Sequence, residues 1–249
     1  MLFLKKWEDL PNELKNDKIK EYYDILSKKK ISLFLKRIFD VIMSFLMIVV
    51  LSPIFLIIAI WIKVDSKGTV FFKQERVTTN GKIFKIIKFR TMVKDADKKG
   101  TLVTVGNDAR ITRVGRFIRH LRIDELPQLF NVFVGDMSFV GTRPEVKKYV
   151  DKYTEEMKAT LLMPAGITSK ASLEYKDEDT VIAELQKQGK AVDDIYIEDV
   201  LPEKMKFNLE YIQKFTFFYD IKMCFKTLIG VLKWKKKKNW KLYQLLFQF

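Results

Sequence analysis

The sequence is short of the residues that build disulfides, cysteine-based metal sites and histidine-based catalysis. Its 249 residues contain one cysteine, Cys224, and one histidine, His120. A single cysteine excludes an intramolecular disulfide framework and a cysteine-based metal site. No Walker loop, dinucleotide fingerprint or tandem repeat occurs, and the polar N-terminal residues are unlike a cleavable signal peptide. The chemistry must therefore be sought among carboxylates, basic residues and one long apolar run.

Acidic residues are in deficit. The chain has 46 Lys plus Arg against 31 Asp plus Glu, a formal net charge of +15. Such a surface attracts phosphates, nucleic acid or anionic lipid, and charge alone does not separate these partners. The length fits one catalytic domain with appendages.

Residues 41–62 form an uncharged apolar run, long enough at ~1.5 Å per residue to cross a ~30 Å hydrocarbon core. Ser52-Pro53 lies in its middle, where proline removes a backbone donor and disturbs a helix. Both flanks are basic, and the positive-inside rule therefore draws both ends to the same side. A helix broken at Ser52-Pro53 that enters and leaves by one leaflet satisfies both signals. Hydropathy alone favours an ordinary kinked spanning helix, so both interpretations stay open at this point.

Both ends of the chain are amphipathic. Residues 1–37 carry apolar positions at near-helical spacing, which is typical of a helix lying on a membrane surface. Residues 231–249 place Trp234 and Trp240 around four consecutive lysines, a pattern that suits lipid headgroups. A solvated charge run after a core helix is the alternative for this C-terminal tail.

Between these ends, the pattern predicts a β-hairpin over residues 70–92, with its turn at Thr79-Asn80-Gly81. A polar loop follows, and Asn107-Asp108 is expected to cap a helix over residues 111–122. Further helices are predicted from Pro144 to about Leu162, over residues 179–188, and after Pro202.

Asp124 and Glu125 open the segment DELPQLFNVF, which we predict to be a short helix with proline in its first turn. Unpaired N–H groups and the helix dipole at that end favour an ionised carboxylate, which is a competent nucleophile. Plain N-capping is the ordinary explanation for acids at this position. The surroundings favour function, because two acids among cations suggest a site for a diphosphate and a divalent metal. The nearby cations are Lys88, Arg90, Arg119, Arg122 and Arg143.

Three blocks of sequence resemble one protein family. They are KRIFDVIMSFLMIVVLSPIFLIIAI, FFKQERVTTNGKIFKIIKFRTM and ARITRVGRFIRHLRIDELPQLFNVFVGDMSFVGTRP. In this order they look like the bacterial sugar transferases, also called monotopic phosphoglycosyl transferases, in their short form. The resemblance covers about residues 36–230 and has helical additions at both ends.

The resemblance implies a mixed α+β, mainly helical fold. It divides the chain into an N-terminal amphipathic extension (1–37), a re-entrant membrane helix broken at Ser52-Pro53 (38–63), a catalytic domain (64–230) and a basic aromatic tail (231–249). It also implies a monotopic protein of the bacterial inner membrane. In that arrangement the small catalytic domain, with its β-hairpin and amphipathic interfacial helices, faces the cytoplasm.

The implied reaction starts lipid-linked glycan synthesis for a capsule, O-antigen, exopolysaccharide or glycoprotein. Asp124 would attack the sugar-linked phosphate of a UDP-sugar, expel UMP and pass the sugar phosphate to a polyprenyl phosphate, undecaprenyl phosphate in the expected case. Glu125 would help Asp124 to hold Mg²⁺ or assist proton transfer. Arg119 and Arg143 would bind the substrate phosphates, and Lys88 and Arg90 would do so as well.

One departure from the family is visible at Gly141-Thr142-Arg143-Pro144, where many members have Gly-Pro-Arg-Pro; Arg143 is retained. The alternative function is a non-catalytic basic protein that binds a membrane surface or nucleic acid, which salt-sensitive binding would reveal. We expect no nucleic acid partner, because that alternative gives no role to Asp124 and Glu125. The sequence leaves the sugar and the existence of a homodimer open.

Overall fold

The computed structural model describes residues 4–96, 108–175 and 178–230. Helices dominate this part of the chain, together with an antiparallel and a parallel pair of strands. The predicted tail over residues 231–249 and most of the predicted polar loop after the hairpin lie outside the described residues.

Helix α1 (Asp17–Ser27) follows two short 3₁₀ turns at Trp7–Asp9 and Asn12–Leu14. The Asn16 side chain caps it by accepting a hydrogen bond from the Ile19 amide. Its apolar face lies in a buried cluster with residues of a later helix; the cluster includes Leu14, Ile19, Tyr22, Leu26, Tyr211 and Ile212. The expectation that this face lies on a membrane is therefore wrong, because protein already covers it.

Helix α2 (Lys30–Asp65) contains the apolar run and begins earlier than the predicted segment 38–63. It is one element of 36 residues with Pro53 inside it, and it is long and apolar enough to cross a membrane. Pro53 cannot donate to the Val49 carbonyl four residues earlier, but the Ser52 hydroxyl donates to that oxygen at 2.8 Å. The helix thus continues through Ser52-Pro53 instead of ending there, and re-entry into one leaflet stays a prediction.

The two ends of α2 are held by polar contacts with the rest of the protein. Near its start, Lys36 donates to the Val140 carbonyl and Asp40 accepts from the Phe139 amide. At its end, Asp65 accepts from the Val114 amide at 3.2 Å. The opposite side of α2 is apolar and exposed; it includes Ile42, Leu46, Val49, Val50, Leu56, Ile57 and Ile60.

Strands β1 (Phe71–Val77) and β2 (Ile83–Phe89) form the predicted hairpin, with Phe71 opposite Phe89. Asn80 and Gly81 in its turn have φ angles of 58° and 75°, which confirms the turn at Thr79-Asn80-Gly81. The free edge of β2 is bound by the Asn131 side chain, which accepts from the Ile87 amide and donates to the Lys85 carbonyl.

Helix α3 (Arg113–His120) is shorter than predicted, and its cap differs. Thr112 accepts from the Gly115 amide at 2.9 Å. Asp108, which we expected in the cap, instead binds the guanidinium of Arg110. A Cβ on Gly115 would lie 2.0 Å from the Thr91 carbonyl oxygen, so glycine lets α3 pack tightly against the chain just after β2. Helix α4 (Gln128–Val134) follows.

Strands β3 (Met137–Val140) and β4 (Ala165–Thr168) pair in parallel. Between them lie α5 (Lys147–Val150) and a 3₁₀ segment, Met157–Leu162, so the single helix predicted over this stretch is wrong. The remaining helices follow β4 along the chain: α6 (Lys170–Glu174), α7 (Glu178–Lys187), α8 (Val192–Ile195), α9 (Leu201–Lys214) and α10 (residues 217–230). A π-helical turn, Tyr196–Val200, joins α8 to α9. The helices predicted near residues 179–188 and after Pro202 are confirmed.

Candidate active site

Asp124 and Glu125 lie on a short 3₁₀ turn, Ile123–Glu125, between α3 and α4. Arg122 enters this turn in the left-handed region with a φ of 57°, which ends α3 and redirects the chain. Pro127 directly precedes α4. The prediction that the acids open the helix itself is thus wrong: they occupy a separate turn ahead of it.

Asp124 is a buried carboxylate with spare bonding capacity. Its residue is 8% exposed, and its Oδ1 atom accepts no hydrogen bond from the described residues. Burial, followed by the negative charge of Glu125, raises the pKa of Asp124 to about 6. Burial outweighs the helix-end effect that we expected to favour ionisation. The group is nevertheless mostly ionised at neutral pH, so the structure holds a buried carboxylate whose Oδ1 atom has no partner among the described residues.

Glu125 has the opposite electrostatic character. Lys88 Nζ lies 3.0 Å from its Oε1 atom, and Arg122 NH1 lies 3.6 Å from the same atom. Burial alone would raise the pKa of Glu125, but the charges of Lys88, Arg122 and Arg143 outweigh it and lower the pKa to about 2. Glu125 is therefore ionised at neutral pH, and it forms ion pairs with Lys88 and Arg122.

Arg119 and Arg143 reach the acid pair from different elements. Arg119, half-buried near the end of α3, lowers the pKa of Asp124 through its charge. Arg143 follows β3 and donates to the Ser172 hydroxyl at 3.1 Å. Its positive charge helps to lower the pKa of Glu125. The fold thus gathers Lys88, Arg119 and Arg143 around the two acids, together with Arg122, which was named among the nearby cations but was given no role of its own.

Arg90 is placed elsewhere, contrary to the prediction. Its NH2 atom donates to the Ser66 carbonyl at 2.7 Å and to the Ser66 hydroxyl at 2.9 Å. Arg90 therefore fixes the chain between α2 and β1. Ser52 and Pro53 also contribute to α2 and not to the acid pair.

A buried network beside Arg143 was missed by the sequence reasoning. Glu145, 3% exposed, accepts from the Tyr196 hydroxyl at 2.7 Å. Lys204 donates to Tyr196 at 3.0 Å and to Glu178 at 2.8 Å. Only the closeness of Glu145 to Arg143 in sequence could have suggested it, because its partners come from distant helices.

The acid pair suits a magnesium ion that also binds substrate phosphates. Mg²⁺ prefers carboxylate oxygens and is commonly held by one or two of them, with phosphate oxygens and waters completing its shell. The unpartnered Oδ1 of Asp124 supplies one such oxygen. Within the described residues, no group of three or more His, Cys, Asp or Glu residues that could hold a metal ion occurs.

The site therefore combines a buried carboxylate and four cations with a neighbouring helix that is long and apolar enough to cross a membrane. The family model for bacterial sugar transferases matches residues 31–234. The chain belongs to this family.

Named relatives agree with that assignment. The chain is 35% identical over 202 residues to the UDP-N-acetylgalactosamine-undecaprenyl-phosphate N-acetylgalactosaminephosphotransferase of Aeromonas hydrophila, covering 80% of this chain and 44% of the relative. It is 33% identical to the UDP-glucose:undecaprenyl-phosphate glucose-1-phosphate transferase of Klebsiella pneumoniae, covering 80% and 40%. It is 34% identical to the uncharacterised sugar transferase EpsL of Bacillus subtilis, covering 80% and 88%. The chain therefore spans less than half of the first two relatives and most of the third.

Proposed function

We propose that this protein transfers a sugar phosphate from a UDP-sugar to undecaprenyl phosphate, with Asp124 as the nucleophile. The observation that carries the proposal is the buried, ionisable Asp124 with an unpartnered oxygen inside a group of four cations. Two of the named relatives are undecaprenyl-phosphate sugar phosphotransferases, and they support the reaction class.

In the first half-reaction, a carboxylate oxygen of Asp124 attacks the sugar-linked phosphorus of the UDP-sugar. The bond from that phosphorus to the bridging oxygen breaks, and UMP leaves with that oxygen. The product on the protein is an acyl phosphate that carries the sugar. In the second half, a phosphate oxygen of undecaprenyl phosphate attacks the same phosphorus and releases the Asp124 carboxylate. One difficult transfer between anions is thereby divided into two.

The cations make these encounters between anions feasible. Arg119 and Arg143 are suited to bind phosphate oxygens, because a guanidinium presents paired donors in one plane. Lys88, paired with Glu125 at 3.0 Å, would stabilise charge on the transferring group. Asp124 and Glu125 would hold Mg²⁺, which would neutralise charge between the carboxylate and the diphosphate.

The contacts of α2 support a re-entrant arrangement in the membrane. Lys36 and Asp40 near one end, and Asp65 at the other, bind the same charged protein body. Because that body cannot lie on both sides of a bilayer, both ends of α2 belong on one side. The exposed apolar side of α2 then faces the lipid, and the basic flanks favour the cytoplasmic side of the bacterial inner membrane.

The test is UMP release by the purified protein with Mg²⁺, undecaprenyl phosphate and a panel of UDP-sugars. We expect release that requires both lipid and one preferred UDP-sugar, and that disappears in Asp124→Asn. Asp151→Asn is the matched control, because Asp151 is an exposed carboxylate that only pairs with Lys147 on α5. Release that persists in Asp124→Asn would reject the nucleophile, and no release with any donor would reject the reaction.

A further inference from the structure

One side of α3 is exposed and carries no acidic residue. Arg113, Arg116 and Phe117 lie three and four positions apart, so they share this side. Val114 and Ile118 on the opposite side are buried against α2 and α4. The outer side of α3 is thus a basic and aromatic stripe, formed by Arg113, Arg116 and Phe117.

This stripe is continuous with the exposed apolar side of α2. The rings of Phe117 and Trp61 lie with centroids 5.3 Å apart. Phe117 is 50% exposed and Trp61 is 42% exposed, and Ile57, Ile60 and Val64 on α2 are exposed beside them. Whatever covers this part of α2 therefore also reaches Phe117.

The guanidinium groups of Arg113 and Arg116 have no partner among the described residues of the protein. Neither guanidinium has a hydrogen bond or an ion pair there; the backbone amide of Arg116 donates to the Thr112 carbonyl at the start of α3. Arg113 is the first residue of α3, where the positive end of the helix dipole disfavours a cation. Asp65 of α2 accepts a hydrogen bond from the Val114 amide at this end of α3, but it forms no ion pair with Arg113. A negatively charged partner from outside the chain would remove this unfavourable electrostatic interaction.

We infer that Arg113 and Arg116 bind the phosphate groups of anionic phospholipids, while Phe117 and Trp61 sit at the boundary between headgroups and acyl chains. The inference rests on the proposed membrane placement of α2. Aromatic side chains favour this boundary, and guanidinium groups pair with phosphate. Because α3 leads into Arg119 and the turn that carries Asp124, lipid bound to the stripe sets the height of Asp124 above the membrane. The acceptor's phosphate lies in that same headgroup layer.

The experiment uses Trp61 as a reporter of the neighbouring lipid. The other three tryptophans are replaced with phenylalanine in the full-length chain (Trp7→Phe, Trp234→Phe and Trp240→Phe). The protein is placed in two sets of nanodiscs that both contain phosphatidylglycerol and phosphatidylcholine in equal fractions. In one set only the phosphatidylglycerol is brominated in the upper acyl chain, and in the other set only the phosphatidylcholine is. Bromine quenches tryptophan fluorescence at short range, and the assay needs no catalysis.

We expect stronger quenching by the brominated anionic lipid, and loss of this preference in Arg113→Gln/Arg116→Gln. Each arginine removed should weaken the local preference for anionic lipid by about fivefold, the effect of one cation near such a surface. High salt should weaken it as well. Lys152→Gln/Lys187→Gln is the matched control, because it removes two exposed cations next to a buried cluster that contains no α2 residue, and it should keep the preference.

Equal quenching by the two lipids in the unmodified stripe would overturn the inference and leave the proposed reaction standing. A preference that survives the double arginine substitution would overturn it too. Quenching by neither lipid would overturn the membrane placement of α2 and the inference with it. If the parent protein shows the lipid preference but releases no UMP with any donor, the proposed function is rejected and the inference about lipid binding stands.

Discussion

Two buried charge clusters in this protein differ in how completely their polar atoms are paired. In the first, Lys36 of α2 lies 2.6 Å from Asp220 of α10 and also donates to the Val140 carbonyl. Tyr211 donates to the other oxygen of Asp220 at 2.9 Å. In the second, Glu125 is paired with Lys88 and Arg122, but Oδ1 of its neighbour Asp124 is not.

The difference separates a structural cluster from a reactive one. Buried polar groups are normally satisfied, and a buried charge without its full set of partners is costly. The Lys36 cluster meets that requirement and joins α2 to α10. The Asp124 cluster leaves it unmet at one atom, Oδ1, which is the atom that we propose reacts with the substrate.

The largest effect is expected at the unpaired oxygen. Asp124→Asn keeps the shape of the side chain but removes the nucleophile, so UMP release should fall by roughly 10⁴-fold or more. The midpoint of thermal unfolding should stay the same or rise, because the substitution removes a buried charge. A large loss of thermal stability in this variant would place Asp124 with the structural cluster instead.

The paired cluster should respond in the opposite way. Lys36→Met leaves Asp220 buried without its cation and should lower the free energy of unfolding by about 3–5 kcal/mol. Lys36→Met/Asp220→Leu removes both charges and should restore much of that loss. Chemical denaturation in detergent measures both variants, and a single variant as stable as the parent would show that the pair contributes nothing.

Lys88 and Arg90 provide a smaller contrast between neighbours. Lys88→Met removes the closest cation from Glu125 and should lower kcat/KM by about 10- to 100-fold. Lys88→Arg keeps the positive charge and should retain part of the activity. Arg90→Met should mainly lower thermal stability, because Arg90 binds Ser66 and not the acids. Equal losses of kcat/KM at equal stability in the two methionine variants would contradict this division.

The smallest expected effect is a shift in pH dependence. Asp124 must be ionised to attack, so kcat/KM should fall about tenfold per pH unit below a pKa of about 6. The negative charge of Glu125 helps to raise that pKa, so Glu125→Gln should move the acid limb to lower pH, whatever its effect on the maximum rate. Higher Mg²⁺ should move it in the same direction if the ion binds Asp124. An acid limb that does not move in Glu125→Gln would argue against Asp124 as the titrating group.

Local chemistry explains what could be predicted from the sequence. The hairpin follows from Asn80-Gly81, whose positive φ angles few residue pairs adopt readily. The acids and three of their cations follow from residue type and proximity along the chain. Arg90 was misplaced because closeness in sequence to Lys88 does not fix the direction of a side chain: Arg90 follows β2 directly and binds Ser66 instead of the acids.

Tertiary packing explains what could not be predicted. The amphipathic pattern of α1 shows that one face must be covered, but protein and lipid satisfy the same pattern, and here α9 covers it. The network of Glu145, Tyr196 and Lys204 joins residues about 50 positions apart, which no local pattern reveals. The raised pKa of Asp124 likewise depends on burial by the folded chain.

The central claim is the covalent role of Asp124, and the most direct measurement is intact-protein mass after incubation with Mg²⁺ and the preferred UDP-sugar in the absence of undecaprenyl phosphate. We predict an added mass of one sugar phosphate that maps to Asp124, is lost when the lipid acceptor is supplied, and never forms in Asp124→Asn. A protein that turns over with no such adduct under rapid quenching, or an adduct on another residue, would contradict the account.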